Sequence, residues 1–346
     1  MALAEEPHAH SHDIRQEMRE LEDKGEIKIQ RVVGPYEEVE VAHGIKKKIP
    51  TTHLYQHKSC GQCTNLPGVP ASSMYVYEQL GIDYLNDMEH TSCTAWNYHA
   101  SATNNLVSLA AAAVRNWHRV YETGYNLDVH CVTSFGNYQE MRHLLVTKKE
   151  IRDEVRKIMH AIGRELVIPE EVVHNSEVMY VLRDQIAAKA KYRFDGLRAV
   201  DHIGCHFYKI MNDDVIGGAK PIVVRELGKT MGFDVQDYSK WFHCCGFGFR
   251  HILVNREFTR SALRVKLQAI QREVDPDVIL VNCTGCGTTI DKNQWIMKAV
   301  GENYSYPALF HSQIAALSLG ADPYKVAGIN FHATPVEPVL KKVGIL

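Results

Sequence analysis

Residues 277–287 read Asp-Val-Ile-Leu-Val-Asn-Cys-Thr-Gly-Cys-Gly. The uninterrupted apolar run in this stretch, bounded by polar residues, predicts a strand that is buried on both faces, as the strands of a parallel sheet are. Cys283 follows the run almost directly, and Cys286 comes three residues later. Because ligands in such sheets lie beyond the carboxyl ends of the strands, the stretch predicts an α/β fold with a cysteine site at one edge of its sheet.

This cysteine pair belongs to a larger set in the second half of the chain. The segments between its members read as helices and strands, so the set converges only in the complete fold, as the ligands of a metal–sulfur cofactor do. A structural zinc ion takes four ligands, and so does an ordinary cubane iron–sulfur cluster. A fifth sulfur therefore indicates a larger or unusual cluster, or a reactive thiol. The five cysteines are Cys205, Cys244, Cys245, Cys283 and Cys286.

The set forms half of an internal repeat. Cys93 and Cys131 are 38 positions apart (131 − 93), as are Cys245 and Cys283 (283 − 245), and 152 positions separate the two pairs. Repeats of this kind reveal duplicated structural units. The sequence therefore predicts two related halves, of which only the second has the complete cysteine set.

The first half is a degenerate copy. At the same offset, Ser92 stands opposite Cys244 and Ser134 stands opposite Cys286, so two thiolates are missing. Four cysteines remain there, which is the number that a tetrahedral all-thiolate site needs, for zinc or for a small iron–sulfur cluster. These predicted ligands are Cys60, Cys63, Cys93 and Cys131.

Composition sets the broad class. The chain has 346 residues, 45% of them hydrophobic, and a net charge of −2, which gives no long-range field to favour a nucleic-acid partner. Nine cysteines, an odd number, without an N-terminal apolar signal segment, predict a cytoplasmic protein with metal-bound thiolates. The small-apolar run over residues 106–114 is too short for a transmembrane segment, and peripheral contact with a membrane stays open.

Alternation of strands and helices predicts parallel α/β layers, duplicated once with a pseudo-two-fold relation. Residues 1–50 are predicted as a polar N-terminal arm with an edge strand over 25–33, residues 51–195 as the degenerate half, and residues 196–346 as the complete half. Thr288 or Thr289 is the expected N-cap of the helix after the Cys-x-x-Cys. The predicted helices cover 76–85, 97–121, 138–162, 221–231, 257–274, 288–300 and 308–319, and the predicted strands cover 127–133, 197–204 and 277–282.

The second half resembles a known family. Its His-Ile-Gly-Cys205-His, His-Cys244-Cys245-Gly-Phe-Gly and Asn-Cys283-Thr-Gly-Cys286-Gly segments are similar to the cysteine-rich Cys-Cys-Gly domain. The tail over residues 307–323 resembles the segment that closes this domain in the B subunit of heterodisulfide reductase. The resemblance implies a non-cubane [4Fe-4S] cluster held by the five cysteines, at which a disulfide is cleaved directly on iron. It also implies electron exchange with a C-type iron–sulfur subunit and an A-type flavoprotein subunit.

The degenerate first half separates this sequence from the methanogenic enzymes, in which both halves carry the five-cysteine motif. It is similar in this respect to B-type subunits of sulfur-oxidising heterodisulfide-reductase-like complexes, which implies a lipoyl-carrying protein as the substrate carrier. It is equally similar to the corresponding subunit of archaeal-type succinate dehydrogenases, which implies electron transfer and docking without a substrate. A zinc-stabilised scaffold without redox activity is the third hypothesis. The sequence leaves these three open.

Histidines adjoin the cysteines and are candidates for proton transfer. His206 and His243 lie next to Cys205 and Cys244, and a neutral-pH imidazole suits the protonation of a released thiolate. Each could equally be a core histidine bonded to the backbone. The candidate catalytic residues are therefore His206, His243, Cys244 and Cys245, expected in a cleft between the two halves.

Overall fold

Two four-stranded parallel sheets form the centre of the protein. The structure, a computed structural model, describes residues 13–57, 65–89, 91, 93, 105–247 and 254–346. Its strands are β1 Lys28–Gln30, β2 Tyr36–Glu40, β3 Lys46–Pro50, β4 Leu54–His57, β5 Tyr84–Leu85, β6 Asn126–Val129, β7 Val167–Pro169, β8 Val173–His174, β9 Arg198–His202, β10 Asp234–Gln236, β11 Val278–Val281 and β12 Ala308–Phe310.

Helices cover both sheets, which confirms the predicted α/β class. In the described part of the chain no helix is both long and apolar enough to cross a membrane. The helices are α1 Ile14–Asp23, α2 Gly68–Leu80, α3 Leu106–Thr123, α4 Val132–Thr147, α5 Lys149–Ala161, α6 Asn175–Val181, α7 Arg183–Lys189, α8 Cys205–Tyr208, α9 Val223–Thr230, α10 Arg256–Glu273, α11 Thr284–Lys298, α12 His311–Ser318 and α13 Glu337–Lys342.

The two sheets have the same strand order. One reads β5-β4-β6-β8 and the other β10-β9-β11-β12, and every pairing within them is parallel. The inner strand β6 precedes Cys131, and the corresponding β11 precedes Cys283. The shared order supports a duplication. The pseudo-two-fold relation and the division at residues 195 and 196 stay predictions.

The last strand of each sheet leads into its helix through the same capping device. The Glu177 carboxylate accepts a hydrogen bond from the His174 backbone N–H at 3.0 Å, at the start of α6. The Gln313 side-chain oxygen accepts one from the Phe310 N–H, also at 3.0 Å, at the start of α12. Each is the reciprocal half of a capping box, which fixes the direction of the helix as it leaves the sheet.

The two halves meet close to the strand ends that carry cysteines. A methyl carbon on Gly136 of α4 would lie 2.6 Å from the carbonyl oxygen of His206 in α8, so the backbones touch there. The rings of Phe135 and Phe207 stack with centroids 5.0 Å apart across the same contact. This packing places the start of α4, which follows Cys131, against the loop that carries Cys205.

The described part of the predicted polar arm is ordered and packed. Strand β1 pairs with β7, which agrees with the predicted edge strand, and β2 pairs with β3 as an antiparallel hairpin. Arg15 of α1 donates to Glu171 and, at 2.8 Å, to Asp214. The buried ammonium of Lys47 lies 3.0 Å from Glu177. Composition made this segment look solvated, but its charges are paired inside the protein rather than in water.

Several predicted helices differ in their limits, for local reasons. The helix predicted over 138–162 is two helices, because Lys148 between them has an extended backbone. The helix predicted over 308–319 begins with the buried strand β12, which its apolar run conceals. The helix predicted to start at Thr288 starts at Thr284, with Cys283 as its N-cap.

Candidate metal centre

Strand β11 and helix α11 deliver two of the five second-half cysteines. Cys283 is the N-cap of α11, and the backbone N–H of Cys286 points at its sulfur, with 3.5 Å between nitrogen and sulfur. The amino end of a helix carries partial positive charge and stabilises anions. Both sulfurs therefore lie where thiolates are favoured.

The Cys-Cys-Gly turn reaches the same place from the other side. The sulfurs of Cys245 and Cys286 lie 3.3 Å apart. The backbone N–H groups of Gly246 and Phe247 face the sulfurs of Cys244 and Cys245, with nitrogen–sulfur distances of 3.3 and 3.4 Å. Amide groups directed at sulfur stabilise the thiolate and tune a cluster bound to it.

Gly246 makes this turn possible. Its φ of +87° lies in the left-handed region, and a methyl carbon there would lie 2.2 Å from the carbonyl oxygen of Thr259 in α10. Only glycine meets both conditions without a shift of the backbone. The turn is thus held against α10 at van der Waals distance.

The Cys205 loop joins the site through Gly204. The Gly204 N–H donates to the side-chain oxygen of Asn282 at 3.0 Å. A methyl carbon on Gly204 would lie 2.6 Å from the Cβ of Cys283 and 3.2 Å from its sulfur. Burial raises the pKa of Cys205 to about 11, with the charges of Cys245 and Cys283 adding to the effect. The Cys205 thiol thus stays protonated at neutral pH until a metal displaces its proton.

The remaining sulfurs share one negative charge. Hydrogen bonds from Cys244 and Cys286 hold the pKa of Cys245 well below its usual range. The same bonds raise the pKa of Cys244 and that of Cys286. The site thus holds one thiolate solvated by neighbouring thiols. Such a cluster of soft donors suits zinc or iron–sulfur ligation.

His202 is a member of the site that was not among the candidate site residues. A ring nitrogen of His202 and the sulfurs of Cys245 and Cys286 all lie within 4.8 Å of one another, and all three side chains are buried. Burial lowers the pKa of His202, Lys266 acts in the same direction, and a hydrogen bond to Cys245 opposes them. Its position at the end of β9, three residues before Cys205, is the signal that could have found it.

The two candidate proton-transfer histidines flank the cysteines. His206 is half-buried in α8, and its carbonyl oxygen packs on α4. His243 is half-buried, and burial lowers its pKa, with Lys266 acting in the same direction. Between them and solvent, Cys244 is the one exposed cysteine of the second-half five. The structure thus keeps both histidines near the cysteines without giving either a substrate contact.

The first half repeats this geometry with a hydroxyl in place of a thiol. The sulfur of Cys93 lies 2.7 Å from the Ser134 hydroxyl, as Cys245 lies against Cys286 in the second half. This contact agrees with the repeat alignment, which sets Ser134 opposite Cys286. Cys131 is buried at the N-cap of α4. Cys60 and Cys63 lie outside the described residues, so the four-cysteine site stays a prediction.

The second-half site fits an iron–sulfur group. None of its five cysteines forms a disulfide, although two sulfurs lie in contact. Its glycines leave no room for Cβ atoms on Gly204 and Gly246, so the backbone closes tightly around the sulfurs. Phe247 packs on Gly285 at 3.6 Å, which excludes water from one side. Soft donors in a closed, largely apolar setting are what such clusters require.

Comparisons with known proteins match the chain to one family. A model described as a cysteine-rich domain, CCG, matches residues 199–291. The chain is 30% identical over 312 residues to the B subunit of the ferredoxin:CoB-CoM heterodisulfide reductase of Methanosarcina acetivorans, covering 87% of this chain and 99% of the relative. It is 30% identical over 290 residues to a protein of Archaeoglobus profundus described as like the B subunit of heterodisulfide reductase, covering 82% and 95%.

A solved structure supports the fold. The crystal structure of a hypothetical protein from Helicobacter pylori superposes with a TM-score of 0.63 at 14% identity, over 94% of this chain. The match spans 57% of that protein's chain. Since identity is low, this likeness concerns the α/β fold alone. The sequence relatives carry the assignment: this chain belongs to the family of heterodisulfide reductase B subunits.

Proposed function

We propose that this chain is an iron–sulfur oxidoreductase subunit that carries out thiol/disulfide or sulfane-sulfur chemistry. The observation that carries the proposal is the convergence of the second-half cysteines, with the sulfurs of Cys245 and Cys286 3.3 Å apart beside an exposed Cys244. The membership in the heterodisulfide reductase B family supports it.

The five cysteines would hold the cofactor together. When bound, a non-cubane [4Fe-4S] cluster supplies iron that takes a substrate sulfur and exchanges electrons with it. The ligands would be Cys205, Cys244, Cys245, Cys283 and Cys286.

The chain's own residues orient the substrate and manage protons. Cys244 is exposed, so a substrate sulfur approaches the site over the Cys244–Cys245 edge. His206 and His243 flank this edge and would transfer the proton that a thiol gains or loses. Burial lowers the pKa of His243, which favours the neutral ring that accepts a proton from an incoming thiol. Trp241 and Phe247 are buried beside the turn and exclude water.

The first half would hold a second, structural metal. Cys60, Cys63, Cys93 and Cys131 are the proposed ligands of a zinc ion or a small iron–sulfur cluster. Supporting this, Cys131 is buried at a strand end equivalent to that of Cys283.

The subunit would work within a cytoplasmic complex. We assign it a C-type iron–sulfur subunit and an A-type flavoprotein subunit as electron-transfer partners, and a lipoyl-carrying protein as the sulfur carrier. The degenerate first half equally suits the docking subunit of an archaeal-type succinate dehydrogenase, which would transfer electrons without a substrate.

A double replacement tests the proposal. In anaerobically purified protein, Cys244→Ser combined with Cys245→Ser should abolish the visible and EPR spectrum of the second-half cluster. The control Cys131→Ser should leave that spectrum unchanged. Full iron content and an unchanged spectrum in the double variant would show that the assignment is wrong.

The EPR spectrum also separates the two redox roles. Addition of a dithiol such as dihydrolipoamide should change the cluster's signal if a substrate sulfur binds at the site. A signal that does not respond to any thiol would favour the docking subunit instead.

A further inference from the structure

Lys266 of α10 is a lysine buried completely inside the second half. Its ammonium donates to the Tyr238 hydroxyl at 2.8 Å, to the Lys240 carbonyl oxygen at 2.8 Å and to the Trp241 carbonyl oxygen at 3.1 Å. The ammonium also lies 4.9 Å from the centre of the Tyr238 ring. All of these partners are uncharged. They satisfy the three N–H groups but leave the positive charge itself unbalanced.

A buried charge without a counter-charge is strongly unfavourable. Within the described residues, Lys266 forms no ion pair with a carboxylate. The nearby carboxylate of Asp201 is engaged elsewhere, since it accepts from Arg225 at 2.6 Å and from the Trp241 indole at 2.8 Å. Residues 248–253, beside the site, contain no Asp or Glu in their sequence. The balancing negative charge must therefore come from another kind of group.

The cysteine site supplies that kind of group. The charges of Cys245, Cys286 and Cys244 raise the pKa of Lys266 more than Asp201 does, against a burial effect that lowers it to about 8. The backbone that Lys266 binds ends at Trp241, three residues before Cys244. Lys266 thus holds the segment that leads into the Cys-Cys-Gly turn.

The degenerate half carries a neutral residue at the matching position. Helices α3 and α10 both have 18 residues and an asparagine N-cap, Asn105 and Asn255, that accepts from the third helical N–H. Eleven residues after each cap, the first half has Asn116 and the second has Lys266, and both side chains are buried. The cation accompanies the half with the complete thiolate set.

We propose that Lys266 is the counter-charge of the second-half cluster site, and that it sets the reduction potential of the cluster bound there. This inference rests on the proposed function. A positive charge beside a cluster favours the reduced form, which carries one more electron, and therefore raises the potential. Lys266 acts on the cluster through space and on the turn through its backbone hydrogen bonds, so it is a positioning residue.

A redox titration of the full chain, purified anaerobically, tests the inference. The variants are Lys266→Met, which keeps length and removes the charge, and Lys266→Arg, which keeps the charge. Lys292→Met is the matched control, because it removes an exposed lysine from α11, the helix that carries Cys286. The titrated signal is the one that the double replacement of Cys244 and Cys245 abolishes.

Lys266→Met should shift the midpoint potential to a more negative value, whereas Lys266→Arg and Lys292→Met should titrate with the wild type. A wild-type potential in Lys266→Met with full iron would overturn the counter-charge while leaving the proposed function intact. A wild-type chain that binds no iron would overturn both.

If Lys266→Met loses its iron, Lys266→Arg decides. Iron retained at the wild-type potential in Lys266→Arg supports the counter-charge, and iron lost from it as well shows a packing role only. Hydrogen exchange of the metal-free variants adds a readout without the cofactor. Amides of residues 240–246 should exchange faster in Lys266→Met than in Lys266→Arg, and equal exchange would overturn the role of Lys266 in holding the turn.

Discussion

Gly246 and Gly301 form a natural matched pair for testing the Cys-Cys-Gly turn. Their φ angles are +87° and +86°, so alanine meets the same left-handed backbone at both positions. At Gly301 a methyl group would contact nothing within 4 Å, whereas at Gly246 it would lie 2.2 Å from the Thr259 carbonyl oxygen. The difference between Gly246→Ala and Gly301→Ala therefore isolates the contact between the turn and α10.

The magnitudes follow from these two geometries. Left-handed backbone costs an alanine about 1–2 kcal/mol, and the lower entropy of its unfolded chain offsets this in part, so Gly301→Ala should lose about 1 kcal/mol. Gly246→Ala adds an overlap with main-chain atoms, which cannot rotate away as a side chain can. Overpacking of this kind costs about 1–3 kcal/mol more, which brings the total to about 2–4 kcal/mol.

Urea unfolding of the reduced, metal-free variants measures the stability, and iron analysis of the anaerobic proteins measures the site. Gly246→Ala should unfold at lower urea than Gly301→Ala and should bind less iron, because the turn moves Cys244 and Cys245. Equal unfolding midpoints and equal iron content in the two variants would refute the close approach of the turn to Thr259.

Three further variants probe the site and its surroundings. Gly204→Ala places a carbon 2.6 Å from the Cβ of Cys283, so iron content should fall and unfolding free energy should drop by about 1–3 kcal/mol; a full iron complement would count against this contact. Burial raises the pKa of Glu140 to about 7, so its ionisation destabilises the fold as pH rises above its usual pKa; Glu140→Gln should match the wild type at pH 4 and exceed its unfolding free energy at pH 8 by up to about 3 kcal/mol, and a pH-independent difference would contradict this. His206→Gln or His243→Gln should slow disulfide turnover roughly 10²-fold to 10⁴-fold with the cluster intact, and wild-type rates in both and in the double variant would return these histidines to a structural role.

The parts of the site that follow a strong local pattern could be predicted from sequence. The apolar run before Cys283 indicated β11, and the regular cysteine spacing indicated both the duplication and the contact that Ser134 makes with Cys93. These features depend on periodicity within one segment, or on the comparison of two segments. Tertiary packing adds little to them.

Features that depend on partners distant in sequence could not be predicted. Lys266 lies on an amphipathic helix, where a lysine normally faces solvent, and only its hydrogen bonds to Lys240 and Trp241 reveal its burial. Strands β8 and β12 have two and three residues, too few to show a period, and they exist because they pair with β6 and β11. The charges of residues 14–50 gave no sign that Arg15 would be buried against Asp214.

A count of iron, zinc and acid-labile sulfide on the anaerobically purified chain tests the central claim most directly. We predict the four irons of a [4Fe-4S] cluster with matching sulfide, all lost when Cys244 and Cys245 are both replaced with serine, while the metal bound by the first-half cysteines stays. Zinc without iron or sulfide would contradict the iron–sulfur assignment and leave a zinc-stabilised scaffold.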